Sequence, residues 1–134
     1  MAAGPRATRY WAVIPAGGGG SRMRSDKPKQ YLPIGDRSLI EHTLTPFFHA
    51  GWIDGVVVVL PAGDEEFLSL PVARHWKLHT ATGGVTRADS VAAGLKRVQE
   101  QSSGMTFVLV HDAARPCVTV ADLEQVRDSA SDEN

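Results

Sequence analysis

Cysteine is nearly missing from the 134-residue chain: Cys117 stands alone, which excludes an internal disulfide framework. A lone cysteine fits a reducing, cytoplasmic compartment. No motif sets a base beside it, so it reads as a small buried side chain and not as a nucleophile. Long apolar runs are missing too. Val56–Leu60 is among the longest and is far too short to span a bilayer. Arg6 and Arg9 are followed by no apolar stretch of secretory length. Net charge is close to absent: 14 basic against 15 acidic residues give −1. No global field therefore draws the chain to nucleic acid, and any anion must be held locally. Two familiar phosphate signatures also fail. The P-loop needs Gly-Lys before Ser or Thr, but Gly20 is followed by Ser21 and Arg22. The G-x-G-x-x-G fingerprint would put its last glycine on Arg22 or Met23.

What the chain has is the stretch Pro15-Ala16-Gly17-Gly18-Gly19-Gly20-Ser21-Arg22-Met23-Arg24-Ser25-Asp26-Lys27-Pro28-Lys29-Gln30. Consecutive glycines favour neither helix nor strand, but they let a backbone approach a ligand and turn its N–H groups toward it. Arg22, Arg24, Lys27 and Lys29 follow, opposed only by Asp26. Amides beside clustered cations suit a polyphosphate. A flexible loop with a solvated basic flank is the competing reading of the glycines alone.

The surrounding pattern is regular. Tyr10–Ile14 reads as a buried strand. Ser38 and Glu41 have capping-box spacing, and Leu39, Ile40, Leu44, Phe47 and Phe48 form a helical apolar face. Pro46 predicts a kink in that helix, and Gly51 its end. Val56–Leu60, a β-branched run, suits a strand covered on both faces. A short helix is expected over Gly63–Leu70 and a third strand over Trp76–Thr82. Thr86 and Asp89 cap a helix with the stripe Val91, Leu95 and Val98. Met105–Val110 is the fourth strand and Thr119–Asp128 the last helix. Residues 1–9 read as a disordered tail and 129–134 as a disordered end, leaving one domain over 10–128.

Alternating strands and helices imply a three-layer α/β domain with a mainly parallel sheet. Ligands in such sheets bind outside the carboxyl ends of the strands. Right-handed crossovers bring three loops there: Ala16–Lys29, Gly83–Ser90 and His111–Pro116. These are also the stretches richest in chemically useful residues.

Four motifs follow in order: Pro15-Ala16-Gly17 through Arg22-Met23, Pro28-Lys29-Gln30-Tyr31-Leu32, Arg87-Ala88-Asp89-Ser90-Val91, and His111-Asp112-Ala113-Ala114-Arg115-Pro116. Together they resemble the 2-C-methyl-D-erythritol 4-phosphate cytidylyltransferases, over about Trp11 to Leu123. The resemblance implies a Rossmann-like nucleotidyltransferase fold, here truncated at its C-terminus. It also implies a reaction in which CTP and a polyol phosphate give a CDP-linked alcohol and pyrophosphate. The family's transition-state cations fall on Arg22 and Lys29, and a Mg²⁺-binding acid on Asp112. Arg115 falls at the substrate end. Pro15, Ala16, Gly17, Gly18, Gly84, Ser90 and Ala113 fall at nucleotide-binding positions, where recognition by backbone would explain the small residues. Plainer roles stay open: a turn cap for Asp112, a structural ion pair for Arg115, a helix-start hydroxyl for Ser90. Arg87 and Asp89 are expected to pair locally or cap the helix. His75 and His79, four apart, have no third ligand near, and His111 is expected to shape its loop.

Departures from the family pattern include glycine at 17 and 19, Ser21 in place of an arginine seen in some members, and Val85 where an acid is common. The family also continues into a second half, with a homodimer arm and further acceptor and metal residues. The 134-residue chain alone is therefore expected to bind CTP weakly and turn over poorly. Rival readings are a ribitol-phosphate cytidylyltransferase, a sugar-nucleotide pyrophosphorylase, or a catalytically idle nucleotide-binding module.

Overall fold

In the computed structural model, residues 8–16 and 29–132 are described. Four parallel strands make the main sheet: β1 (Thr8–Pro15), β4 (Gly55–Leu60), β5 (Leu78–Thr82) and β6 (Met105–Val110), in the order β5-β4-β1-β6. A small hairpin, β2 (Pro33–Ile34) with β3 (Arg37–Ser38), precedes helix α1 (Leu39–His49). Helix α2 (Arg87–Gln101) links β5 to β6, and α3 (Val120–Asp132) follows β6. Successive crossovers run outward from β1 to β4 and β5. The chain then returns over α2 to place β6 on the other flank of β1. The direction of winding thus reverses between β1 and β6, the topological switch point where ligands of such sheets bind.

The period of two in β1 and β4 divides the core into two layers. Ala12, Ile14, Val56, Val58 and Leu60 pack with Ile40, Leu44 and Phe47 of α1 and Leu123 of α3. Trp11, Val13, Val57 and Val59 face the opposite side and meet Val98 of α2. The α/β, mainly parallel architecture expected from the sequence is the one observed. Among the described residues no helix is long and apolar enough to cross a membrane.

Local chemistry sets the helix starts. Ser38 donates its N–H and its hydroxyl to the Glu41 carboxylate, both at 2.9 Å. Thr86 with Asp89, and Thr119 with Asp122, form reciprocal side-chain and backbone pairs. Each such cap satisfies amides that the first helical turn leaves without partners.

Several details differ from the sequence pattern. β1 begins at Thr8, so the expected tail shrinks; Thr8 and Arg9 pair with Met105 and Thr106. Helix α3 continues to Asp132 through part of the expected disordered end. Gly63–Leu70 does not form an α-helix: short 3₁₀ turns occupy Phe67–Ser69 and Pro71–Arg74, the second begun by a proline. Leu95 is exposed, and α2 instead turns Ser90, Gly94 and Val98 to the sheet. Gly94 is needed for that approach, since a Cβ there would lie 2.5 Å from Val13 Cγ1. Cys117 is exposed, not buried.

Helix α1 runs through Pro46, and its end is not a left-handed glycine cap. Lys77 closes it. The Lys77 side chain is buried, and Nζ donates to the carbonyls of Phe47, Phe48 and Ala50 at 3.3, 3.0 and 2.8 Å. A cation at a helix C-terminus is favoured by the exposed carbonyl dipoles. Burial still pulls the lysine below its usual pKa.

His75 stacks on Phe48 at 3.9 Å, and its Nδ1 accepts the Lys77 N–H. Burial first, then the charge of Lys77, lowers its pKa from the usual 6.5. His79, its ring tilted against Trp11 at 5.2 Å, is lowered by burial and then by Arg97. The folded state therefore binds these protons less well than the unfolded state. Stability is full above 6.5 and declines as pH falls through the lowered folded values. Thermal denaturation across that window should show this decline, and His75→Phe should flatten it; an unchanged slope would contradict the assignment.

Candidate active site at the strand ends

Backbone hydrogen bonds carry the sheet past its strands and align the loops. Ala16 N–H donates to Val59 O at 2.9 Å, Ala113 N–H to Pro15 O at 3.1 Å, and Gly83 N–H to Leu60 O at 2.8 Å. Ala16, Gly83 and Ala113 therefore lie side by side along one rim. Among the described parts, the three sequence-marked loops do meet there. Gly17, Gly18 and Arg22 lie outside the described residues.

Side chains fix these turns from beneath. Thr43, fully buried on α1, donates from Oγ1 to Ala113 O at 2.8 Å and approaches Leu39 O at 3.0 Å. Gln30, also buried, donates from Nε2 to Ala16 O at 3.3 Å. Tyr31 donates its hydroxyl to Asp64 Oδ2 at 2.7 Å, while Asp64 Oδ1 accepts the Phe67 N–H. Burial, then the bond to Asp64, pushes the Tyr31 phenol far above its usual 10.0, so it stays a donor. The far end of the basic stretch is thus pinned to the loop after β4. Lys29, exposed at the start of a 3₁₀ turn, sits two residues before this Tyr31 anchor.

Gly83 and Gly84 belong to a tight corner. A Cβ on Gly83 would collide with Ser90 Oγ, and one on Gly84 with Asp89 Cβ. Ser90 is buried and faces this corner, while Asp89 serves the helix cap. The backbone N–H groups of Ala16 and Ala113 are spent within the sheet. Both alanines are buried, and their N–H groups are not free donors.

Asp112 sits between two guanidinium groups. Arg87 Nη2 and Nε approach Oδ1 at 3.0 and 3.3 Å, and Arg115 Nε approaches Oδ2 at 3.4 Å. Arg87 therefore does not pair locally, as its sequence surroundings suggested; it reaches across to the loop after β6. Arg115 makes the plain ion pair that was left open for it. His111 Nε2 lies 2.9 Å from Arg115 O and closes the same turn, a shaping role.

Among the described residues, no three His, Cys, Asp or Glu side chains gather as a metal site. Among the described residues Asp112 is a hard oxygen donor at the switch point, and its side chain is 39% exposed. One protein carboxylate with remaining ligands from phosphates and water is the usual arrangement for Mg²⁺. The donor set fits such an ion once a polyphosphate is bound.

The sheet and its rim define the class as a three-layer α/β nucleotidyltransferase fold. Residues 10–134 match the family described as 2-C-methyl-D-erythritol 4-phosphate cytidylyltransferase. A curated member from Tolumonas auensis is 47% identical over 121 residues, which are 90% of this chain and 51% of that relative. A solved 4-diphosphocytidyl-2C-methyl-D-erythritol synthase superposes with a TM-score of 0.75 at 30% identity, covering 92% of this chain and 54% of that one. The Francisella tularensis 2-C-methyl-D-erythritol 4-phosphate cytidylyltransferase gives 0.74 at 30% identity, with coverage of 92% and 52%. The chain belongs to the 2-C-methyl-D-erythritol 4-phosphate cytidylyltransferase family. It spans about half the length of the curated relatives it matches.

Gln30 and Thr43 escaped notice as site supports. Gln30 at least followed Lys29 in a quoted motif; Thr43 carried no signal, since its partner is 70 residues away. Thr43→Val keeps the volume but leaves the buried Ala113 carbonyl without its donor. It should cost about 1–3 kcal/mol of folding stability. Denaturant unfolding would measure this, and a loss near zero would remove Thr43 from the rim's support.

Proposed function

We propose that the protein of which this chain forms the nucleotide-binding part joins CTP to 2-C-methyl-D-erythritol 4-phosphate. The products are 4-diphosphocytidyl-2-C-methyl-D-erythritol and pyrophosphate, in isoprenoid precursor biosynthesis by the non-mevalonate pathway. The observation carrying this reading is the family match over residues 10–134, joined to a rim where Ala16, Gly83 and Ala113 are aligned by backbone bonds.

In this reaction a phosphate oxygen of the acceptor attacks the α-phosphorus of CTP. The bond from that phosphorus to the bridging oxygen breaks, and the electron pair leaves with pyrophosphate. Phosphoryl chemistry of this kind depends on positioning and charge stabilisation. Arg22 supplies a planar fork and Lys29 a point charge to the reacting phosphate. Pro15, Ala16, Gly17, Gly18, Gly84, Ser90 and Ala113 shape the nucleotide pocket, where small residues admit a flat base. Arg115 faces the acceptor. Asp112 holds Mg²⁺, which when bound neutralises phosphate charge. The lone cysteine fits a cytoplasmic location, and the longer protein is taken to be a homodimer.

A pyrophosphate-release screen tests the reading. CTP should outperform UTP, ATP and GTP with methylerythritol phosphate as acceptor in the longer protein, while the 134-residue chain turns over poorly. Arg22→Ala and Lys29→Ala should lower turnover by about a hundredfold or more while nucleotide binding is largely kept. Preference for ribitol phosphate, or loss of affinity alone in these variants, would contradict it.

A further inference from the structure

Arg87 occupies the first turn of α2, where a cation is poorly placed for the helix. The positive end of the helix dipole lies there and favours anions. The local cap does not need the arginine either: Thr86 and Asp89 satisfy each other, with Asp89 Oδ2 accepting the Thr86 N–H. Arg87 instead leaves its own element and reaches a carboxylate 25 residues away. It does so with two nitrogens on one oxygen, Nη2 at 3.0 Å and Nε at 3.3 Å from Asp112 Oδ1. Arg115, on the turn of Asp112 itself, takes the other oxygen.

The pair is solvent-facing, with Arg87 61% and Asp112 39% exposed. Exposed pairs add little to folding stability. The consequence of this one is geometric, because a planar guanidinium fixes the rotation of a carboxylate better than an ammonium does. The contact also ties the Gly83–Ser90 loop to the His111–Pro116 loop across the rim.

We propose that Arg87 is a positioning residue for Asp112, clamping the carboxylate in the orientation that receives a nucleotide-bound divalent cation. The proposal rests on Asp112 being the cation-holding residue of the proposed function. Arg87 acts through Asp112 and not by touching the nucleotide. Outer partners of this sort typically change metal affinity when removed.

The test uses the 134-residue chain and its Arg87→Gln, Arg87→Lys, Asp112→Asn and Arg87→Gln/Asp112→Asn variants. Binding of Mn²⁺ with CTP is followed by electron paramagnetic resonance. Amide hydrogen exchange over residues 111–116 is followed without ligand. Arg87→Gln should weaken Mn²⁺–CTP binding by about tenfold or more, with Arg87→Lys restoring part of it. It should also speed exchange over 111–116 while β1 and β4 stay protected. In the Asp112→Asn background the Arg87 change should add nothing, the mark of two residues acting as one unit. Unchanged affinity with unchanged exchange would overturn the clamp. Additive losses would overturn it as well, since Arg87 would then contact the nucleotide directly. If the unaltered chain takes up no Mn²⁺ with CTP, the affinity comparison is made in the longer protein, where absence of uptake would overturn the functional reading, and the exchange comparison still decides whether Arg87 holds the Asp112 loop.

Discussion

Parallel pairing of β1 with a neighbour on each flank is the constraint on which the site depends. Pairing runs from Trp11 to Pro15 against β4 and from Thr8 to Val13 against β6. Both ladders then extend into the loops, through Ala16 to Val59 and through Ala113 to Pro15. In a buried sheet an unpaired amide is costly, so these bonds leave the loop roots little freedom. The first loop thereby leaves the end of β1 tied to β4, and the third is held beside that same end. The second loop joins them through Gly83 and Leu60. Chemistry at the rim is a consequence of this alignment.

Around that frame the protein spends polar groups where backbone would otherwise go unmet. Thr43, Gln30 and Lys77 are all buried, and each donates to main-chain carbonyls. Two of the three serve the rim; Lys77 closes α1, which lies beneath it. Burying such groups is tolerable because their hydrogen bonds are made. The apolar layers on the two faces of the sheet supply the bulk of the cohesion, while these polar contacts choose a single arrangement of the loops.

Much of this was legible in the sequence, for reasons of periodicity. The β-branched run Val56–Leu60 marked a strand covered on both faces, and the spacings Ser38–Glu41 and Thr86–Asp89 marked two helix starts. Local patterns of this kind act within a few residues and survive folding. What stayed hidden depends on distant partners. Neither the Thr43–Ala113 bond nor the reach of Arg87 to Asp112 has a local signature, and no local rule brings Lys77 to the end of α1. Leu95 went astray because helical spacing allowed two overlapping stripes, and close contact at Gly94 selected the other. Cys117 was expected inside on residue type alone, whereas its loop carries it to the surface.

The central claim is that one rim of the sheet receives the nucleotide. Backbone NMR of the labelled chain titrated with CTP addresses it most directly. The account predicts shifts concentrated at Ala16, Gly83, Gly84, Ser90, Asp112 and Ala113, with the amino ends of the strands, near Gly55 and Met105, unmoved. Shifts centred on those amino ends, or on the outer face of α3, with the rim silent, would contradict it.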